Sequence, residues 1–255
     1  MICSGLGMRL VVRESGERFA EPCSCRIERR AARMLAQARV PKRYELCSLD
    51  SYETMHQTAN AGLKRALSIA KRFAEGYPVE TGGKGLLLTG SSGLGKTHLA
   101  VSILKSLIIE RGATGVFWEH KELLDHLRAI YSSRTPGAED KLLKSVTTCD
   151  LLVLDDLGDI TPSDWSWDTT SYILNSRYNE NRSTIITTNL QNEATAPVPA
   201  GEAYDRFAEA RRAATRETLG DRIGERMRSR LQEMCVVVEM QGEDFRQRVK
   251  RARFS

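Results

Sequence analysis

One glycine-rich stretch of the chain carries the residue types that can hold a phosphate group. Glycines have no Cβ, so successive backbone N–H groups can turn toward an anion. A lysine beside them can neutralise the outer phosphates of a nucleotide, and a hydroxyl that follows can ligate Mg²⁺. The stretch reads Gly90, Ser91, Ser92, Gly93, Leu94, Gly95, Lys96, Thr97 and His98. It matches the P-loop pattern G-x-x-x-x-G-K-[ST], so residues 90–98 are predicted to bind a nucleotide.

Two adjacent carboxylates form a second candidate cluster. Asp155 and Asp156 follow the apolar run Leu151–Leu154. Open α/β sheets bind ligands at the carboxyl ends of their strands, where these two side chains would stand. We expect Asp155 to hold Mg²⁺ together with Thr97, and Asp156 to orient or deprotonate the attacking water. An acidic turn without a catalytic role is the alternative.

Asn189 is a third candidate, near the end of the apolar and threonine-rich run Ser183–Leu190. A polar side chain at the end of a strand can hold a lytic water near the γ-phosphate of a nucleotide. The alternative is an ordinary turn residue, because asparagine is common in turns.

Strands and helices alternate around these residues from Gly85 onward, which predicts an α/β fold with a parallel sheet. Short apolar runs predict strands at 85–89, 115–118, 151–154, 183–190 and 235–240. Helical periodicity predicts helices at 98–107, 121–131, 141–146, 169–178 and 219–234, and also at 31–38, 53–75 and 202–218. The P-loop therefore lies between a strand and a helix, as the motif requires.

The composition of the 255-residue chain fits a soluble globular protein, because 41% of the residues are hydrophobic and 28% are charged. No apolar run approaches the roughly 20 residues of a membrane span. The first residues lack a basic and then apolar leader, so we expect a cytoplasmic protein without a membrane partner. The net charge of +5 permits contact with nucleic acid, and a solvated charged surface explains it equally well.

Three of the six cysteines, Cys3, Cys23 and Cys25, lie near the first residue. Zinc prefers four ligands and thiolates suit it, so a small zinc knuckle is one interpretation. The spacing lacks the common C-x₂-C pair, and Cys47 lies in what reads as a separate turn, so three reduced thiols are the other interpretation. A further cysteine shortly before Cys3 would complete such a pair, which makes a mis-assigned start codon a hypothesis.

Three stretches of the chain resemble one family. They are residues 90–100, 151–158 and 183–190, which read GSSGLGKTHLA, LLVLDDLG and STIITTNL. They are similar to the AAA+ ATPases of the DnaC/IstB group, which contains bacterial and phage helicase loaders and the ATP-binding helpers of transposases. The resemblance covers roughly residues 40–250. It implies a P-loop NTPase fold of three α/β/α layers with a mostly parallel sheet, ATP and Mg²⁺ as cofactors, and ATP hydrolysis.

The resemblance assigns roles to the candidate residues position by position. Lys96 and Thr97 match the Walker A lysine and its Mg²⁺-binding neighbour. Asp155 and Asp156 match the Walker B motif, and Asn189 matches sensor 1.

Two arginines receive roles in the same way. Arg226 resembles the arginine finger, which would serve the ATP of a neighbouring subunit, and Arg246 resembles the sensor-2 arginine. The nearby Arg222, Arg228 and Arg230 make a solvated helix face the alternative for Arg226. An arginine finger implies self-assembly on ATP, because the charge on the γ-phosphate is then stabilised in trans.

The chain is expected to have three parts. Residues 1–50 form a cysteine-containing docking segment that is a candidate zinc binder, residues 51–80 form a linker helix, and residues 81–255 form the AAA+ ATPase domain. Gly76-Tyr77-Pro78 ends the linker helix, and Thr81-Gly82-Gly83 leads into the strand before the P-loop.

The leading functional hypothesis is an ATP-dependent protein that loads the replicative DNA helicase, of the DnaB type, onto single-stranded DNA. The alternatives are an IstB-like ATPase helper of a transposase and a nucleotide-gated adaptor with little turnover. The cysteine-containing segment resembles the zinc-bearing N-terminus of some loaders with its first cysteine missing, which modestly favours the loader.

Overall fold

The computed structural model of the chain describes residues 3, 6–13, 15–55, 61–133, 136–161, 163–192 and 218–245. Two predictions lie outside these residues. They are the helix expected at 202–218, of which only Thr218 is described, and the sensor-2 candidate Arg246.

A β-hairpin and three helices precede the main sheet. They are β1 (Met8–Val12), β2 (Arg18–Pro22), α1 (Ser24–Gln37), a 3₁₀ turn at Lys42–Tyr44, α2 (Leu49–Met55) and α3 (Ala61–Gly76). The hairpin was not predicted, because its two strands are short and mostly exposed and so show no buried period. Helix α1 starts before the predicted position 31, since the arginines, alanines and glutamate of this region are adequate helix formers.

A five-stranded parallel sheet lies at the centre of the described structure. Its strands are β3 (Gly85–Thr89), β4 (Gly115–Glu119), β5 (Leu151–Asp155), β6 (Ser183–Thr188) and β7 (Cys235–Glu239). Their order across the sheet is β4-β5-β6-β3-β7, and each neighbouring pair is parallel. Every residue of β3, β5 and β6 is buried, as expected of strands with both faces covered. The predicted parallel sheet is confirmed.

Helices cover both faces of this sheet. They are α4 (Lys96–Ser106), which continues as a π-helical turn at Leu107–Arg111, α5 (His120–Ser133), α6 (Ala138–Thr148), α7 (Asp164–Asn179), α8 (Leu219–Ile223) and α9 (Glu225–Met234). Alternate residues of a strand point to opposite faces. Leu86 and Leu88 accordingly pack in the cluster that contains α3 and α4, whereas Leu87 packs in the cluster that contains α7 and α9. This arrangement is the predicted three-layer α/β/α P-loop fold.

Residues 219–234 form two helices, not the single helix that was predicted. Gly224 separates α8 from α9 with a φ of +76°, and a Cβ at this position would lie 2.3 Å from the ring of Trp167. The close approach of the Trp167 ring therefore requires a glycine here, and the positive φ of this glycine ends α8. Helices α2 and α3 account for the helix predicted at 53–75, apart from residues 56–60, which are not described.

Helices α2 and α3 belong to the same hydrophobic core as the P-loop helix. Tyr52 of α2 and Phe73 of α3 lie in one cluster with Leu99 and Ile103 of α4. The region expected to be a linker is thus packed against α4.

Candidate nucleotide-binding site

The order of the strands brings segments that are distant in sequence to one edge of the sheet. Strand β6 lies between β3, which leads into the P-loop, and β5, which ends at Asp155. Because the three strands are parallel, their carboxyl ends meet at the same edge. Asn189 directly follows β6, so it stands between the P-loop and the two aspartates.

The P-loop joins β3 to α4 through backbone conformations that favour glycine. Gly90, Gly93 and Gly95 have φ values of +138°, +81° and +84°, and Gly95 is the N-cap of α4. A Cβ at Gly90 would lie 2.2 Å from the carbonyl oxygen of Met240, in the segment after β7. The glycines of the motif are therefore required both by backbone conformation and by close packing.

The segment that follows β7 holds the P-loop by main-chain hydrogen bonds. Met240 donates its N–H to the carbonyl oxygen of Thr89 at 2.8 Å, and Phe245 donates its N–H to that of Gly93 at 3.1 Å. Arg246 comes directly after Phe245 but lies outside the described residues. These contacts fix the residue before the loop and the middle of the loop to the segment that follows the last strand of the sheet.

The ammonium group of Lys96 lies inside the loop, and only 5% of the residue is exposed. Its Nζ donates three hydrogen bonds of 2.8 Å, to the carbonyl oxygens of Gly90 and Ser91 and to Oδ1 of Asn189. These contacts hold a positive charge between the loop and β6, where the phosphates of a nucleotide would be attracted.

Asp155 is almost completely buried beside the first turn of α4. Thr97 donates its hydroxyl to the carboxylate, at 2.8 Å from Oδ1 and 3.1 Å from Oδ2, and Thr187 donates to Oδ1 at 2.7 Å. Burial raises the pKa of Asp155 to about 6, although the hydrogen bonds from Thr187 and Thr97 lower it. A hydroxyl and a carboxylate are hard oxygen ligands that fit Mg²⁺. The positive charge of a bound Mg²⁺ would favour the ionised form of Asp155.

Asp156 stands in a different environment from its neighbour. Its φ is +53°, in the left-handed region that residues other than glycine seldom adopt, and its N–H donates to Oγ1 of Thr187 at 2.9 Å. The side chain is partly exposed, and its Oδ1 accepts a hydrogen bond from Nδ2 of Asn189 at 3.4 Å. The two consecutive carboxylates therefore differ in access to solvent, which suits Asp155 to metal binding and Asp156 to contact with water.

Thr187 is a site residue that we did not predict. Its hydroxyl bonds to the Asp155 carboxylate and to the N–H of Asp156, so it fixes both aspartates. The sequence signal that could have identified it is a threonine inside a strand that is expected to be buried. A buried hydroxyl requires a hydrogen-bond partner, so such a threonine is expected to bond to a nearby polar group.

The 3₁₀ turn before α2 also reaches this site, which its sequence did not indicate. Burial raises the pKa of Tyr44, and a hydrogen bond with the Thr97 side chain opposes this effect. The positive charge of Arg43 partly opposes the effect of burial on the pKa of Asp155. Tyr44 thus contacts a candidate Mg²⁺ ligand, and the charge of Arg43 acts on the other.

The side chain of His98 is directed to α2. Its Nε2 lies 3.0 Å from Oγ of Ser51 and 3.0 Å from the carbonyl oxygen of Ser48. Its ring meets the ring of Tyr52 edge-on at 5.4 Å between centroids. Any contribution of His98 to phosphate binding would thus come from its backbone N–H in the first turn of α4.

The structure distinguishes Arg226 from its neighbours on α8 and α9. Arg226 is exposed, and it makes no hydrogen bond or ion pair with the residues that the structure describes. The other arginines bond within the chain: Arg222 to the carbonyl of Ile160 at 2.9 Å, Arg228 to Glu225 at 2.9 Å, and Arg230 to Asn175.

The three cysteines near the first residue come together in space. The Sγ atoms of Cys3, Cys23 and Cys25 all lie within 4.8 Å of one another, and those of Cys3 and Cys25 are 3.1 Å apart. Hydrogen bonds with the Cys3 and Cys23 thiols raise the pKa of Cys25 to about 12. Cys47 belongs instead to the hydrophobic cluster around α4. Three sulfur ligands at this separation fit a soft divalent ion such as Zn²⁺.

Among the described residues, no helix combines the length and the apolar character that a membrane span would need.

The chain is similar to proteins of known family. Residues 18–198 match the family model described as IstB-like ATP binding protein. The replicative helicase loader DnaC of Buchnera aphidicola subsp. Acyrthosiphon pisum is 26% identical over 69% of this chain and 68% of its own length. The DnaC of Escherichia coli K12 is 26% identical over 64% of each chain. The chain thus spans about two thirds of the length of these relatives.

Solved structures extend the comparison. The crystal structure of the DnaC helicase loader is 35% identical and covers 79% of this chain and 100% of its own, with a TM-score of 0.61. The replication initiator DnaA bound to AMPPCP and single-stranded DNA is 16% identical with a TM-score of 0.58, so it shows the fold alone. The family model covers most of the chain and agrees with the P-loop site at the edge of the sheet, and the chain therefore belongs to the IstB-like ATP-binding proteins, a DnaC-related group of AAA+ P-loop ATPases.

Proposed function

We propose that this protein is an ATPase that loads a replicative DNA helicase onto single-stranded DNA. The main support is the match to the solved DnaC helicase loader, which extends over 100% of that chain at 35% identity. The P-loop, the two aspartates and Asn189 contact one another at one edge of the sheet, which supports their proposed role as the hydrolytic site that such a loader would need.

The proposed chemistry follows from the contacts of this site. Lys96 and the P-loop N–H groups hold the phosphates, and Thr97 with Asp155 would hold Mg²⁺, which neutralises phosphate charge when bound. Asp156 orients the attacking water or accepts its proton. Asn189 contacts both Lys96 and Asp156, so it can place that water between the base and the γ-phosphate.

Arg226 is proposed to reach the ATP of a neighbouring copy of the chain. Its exposure leaves the guanidinium accessible, whereas Arg222, Arg228 and Arg230 are held by groups of their own chain. The loader would then assemble when ATP is bound, in a ring or spiral segment around single-stranded DNA, since each site is completed by the next subunit.

Residues 1–50 are proposed to dock the helicase. Met8, Leu10 and Val12 alternate along β1 and so share one face, and their exposed fractions are 37%, 74% and 60%. An apolar row of this kind on a surface hairpin is typical of a protein interface. The cysteine cluster is proposed to bind Zn²⁺ through three thiolates, with one position left for a further ligand.

Metal analysis tests the zinc proposal. Protein purified without chelator should contain about one zinc per chain, by the stoichiometry of a single thiolate site. Cys23→Ser should lose this zinc, whereas Cys149→Ser, at a buried cysteine outside the cluster, should keep it. Zinc-free protein, or equal zinc in the two variants, would contradict the proposal.

The first functional experiment is a pull-down from host lysate with the Asp156→Asn protein held in ATP, so that ATP-dependent complexes persist. Recovery of the hexameric replicative helicase, with none recovered by Lys96→Ala, supports the loader. Recovery of a transposase instead would make the protein a transposition helper, which is the alternative that the name of the family model favours. A parent protein without turnover that still binds its partner would be a nucleotide-gated adaptor.

A further inference from the structure

A segment that precedes the ATPase core lies directly against the P-loop. We name residues 44–52, from the 3₁₀ turn into α2, the strap. Tyr52 is 1% exposed, and its hydroxyl donates a hydrogen bond of 3.0 Å to the carbonyl oxygen of Leu94, inside the P-loop. A side chain of the strap thus holds the main chain of the phosphate-binding loop.

A second contact lies one helical turn further along. The imidazole of His98, in the first turn of α4, lies 3.0 Å from both Oγ of Ser51 and the carbonyl oxygen of Ser48. Further down α4, Lys105 donates to the carbonyl oxygen of Cys47 at 2.7 Å. The strap therefore follows the P-loop helix through hydrogen bonds whose partners are at least 42 positions apart in sequence.

The N-terminal end of the strap leads back to α1 and the cysteine cluster. Two residues between α1 and the strap contact β4. The carbonyl oxygen of Ala38 accepts a hydrogen bond of 2.8 Å from the N–H of Phe117, and the Arg39 guanidinium lies 3.5 Å from the centre of the Trp118 ring. Helix α1 ends immediately before Ala38. In the chain, the strap therefore lies between α1 and α3, while its Tyr52 side chain contacts the phosphate-binding loop.

We infer that Tyr52 and His98 are positioning residues for the nucleotide, and that nucleotide binding orders the strap. This inference rests on the proposed binding of ATP at the P-loop. Neither side chain needs to touch the phosphates. Tyr52 acts through the Leu94 carbonyl, and His98 acts through the first turn of α4. When these bonds are absent, binding of the nucleotide must itself order the loop. The free energy of this ordering weakens ATP binding and leaves the rate of the chemical step unchanged.

The test compares variants that remove these bonds one at a time. Tyr52→Phe removes one hydroxyl, His98→Ala removes the imidazole, and His98→Gln keeps a group that can bond to Ser48. Tyr131→Phe is the matched control, because its hydroxyl bonds to Glu139 at the surface. We expect Tyr52→Phe and His98→Ala to raise the Kd for ATP about fivefold to tenfold, the value of one lost hydrogen bond, with kcat at saturating ATP within about twofold. His98→Gln should recover part of the affinity.

Hydrogen exchange of the strap amides distinguishes positioning from a purely structural role of Tyr52 and His98. With a purely structural role, the effect of ATP on the exchange rate would be the same in the variants and the wild type. ATP should slow the exchange of residues 44–52 in the wild-type protein, and this protection should be smaller in Tyr52→Phe at equal nucleotide saturation. A Kd in Tyr52→Phe and His98→Ala equal to that of the wild type, or strap amides that do not respond to ATP, would overturn the inference. If the wild-type protein fails to bind ATP, or Lys96→Ala binds it equally well, the proposed function fails instead.

Discussion

Nζ of Lys96 lies 2.8 Å from Oδ1 of Asn189, although 93 positions separate the two residues in sequence. The distance is short because β6 pairs with β3 in parallel, so the residue after β6 arrives beside the loop after β3. The same amide reaches Asp156 through its nitrogen. Asn189 thus links the group that would bind phosphate to the group that would activate water.

Asn189→Ala should lower the rate of ATP hydrolysis by about 100-fold, the typical cost of a lost polar group that orients the reacting atoms. The Kd for ATP should change by less than about threefold, because the P-loop and Lys96 remain. Steady-state hydrolysis together with nucleotide titration separates the two quantities. A large rise in Kd at unchanged kcat would instead make Asn189 a binding residue.

Asp155→Asn should stabilise the nucleotide-free protein while it abolishes hydrolysis. Burial raises the pKa of Asp155 in the native state from its ordinary value of 3.8 to about 6, so the native state binds more protons than the unfolded state between these values. The wild-type protein therefore loses stability as the pH rises from about 4 to 6, by up to about 3 kcal/mol. Asparagine has no charge to bury, so the variant should not lose this stability as the pH rises.

Urea unfolding at pH 4.5 and pH 7.5 tests this sign. The stability difference between Asp155→Asn and the wild type should grow between the two pH values. A variant that is less stable than the wild type at pH 7.5 would show that the lost carboxylate hydrogen bonds outweigh the cost of the buried charge.

Gly93→Ala should disrupt the P-loop more than the backbone strain of an alanine with positive φ alone would. A Cβ there would lie 1.8 Å from Oδ1 of Asp244, and the φ of Gly93 is +81°. Gly137→Ala is the matched control, since Gly137 has a φ of +73° and nothing within 4 Å of a Cβ. The control should lose about 1 kcal/mol of stability from backbone strain, whereas Gly93→Ala should lose more and bind ATP poorly. Equal losses in thermal unfolding would exclude the steric effect of Asp244.

Arg177→Met should destabilise the protein by about 3 to 5 kcal/mol, because it leaves several buried carbonyl groups without a donor. Arg177 is 0% exposed and donates to the carbonyl oxygens of Val146, Cys149 and Ser183 and to Oγ1 of Thr184. Arg182→Met is the control at a partly exposed arginine that lies 3.7 Å from Asp150, and it should cost less than about 1 kcal/mol. Chemical denaturation of the two variants measures the difference.

Mixing two inactive variants tests whether Arg226 acts in trans. Arg226→Ala keeps the P-loop site but lacks the proposed finger, and Asp156→Asn keeps the proposed finger but lacks the proposed base. Their mixture should regain part of the ATPase rate, and the rate should rise faster than linearly with protein concentration. Arg228→Ala should remain active alone, because Arg228 pairs with Glu225 of its own helix. Additive rates in the mixture would contradict a shared site.

The P-loop, the aspartate pair and the parallel sheet could be predicted because each is encoded locally, in glycine spacing or in an apolar run. Contacts that depend on the meeting of distant segments could not. A tyrosine at position 52 reads as a core residue, and nothing nearby in sequence indicates that its hydroxyl holds the carbonyl of Leu94. The break at Gly224 was missed for a related reason, since the ring of Trp167 that requires a glycine there lies 57 positions earlier.

The main-chain bonds from Met240 and Phe245 to the P-loop also bear on synthesis of the protein. A ribosome that has translated the chain through Asn189, the residue after β6, has already made the P-loop and both aspartates. Strand β3 still lacks its neighbour β7 at that point, and the carbonyls of Thr89 and Gly93 lack their donors. The nascent chain would thus carry the motifs of an ATPase before its phosphate cradle is held in place, and tight ATP binding should begin only after residue 245 has left the ribosome.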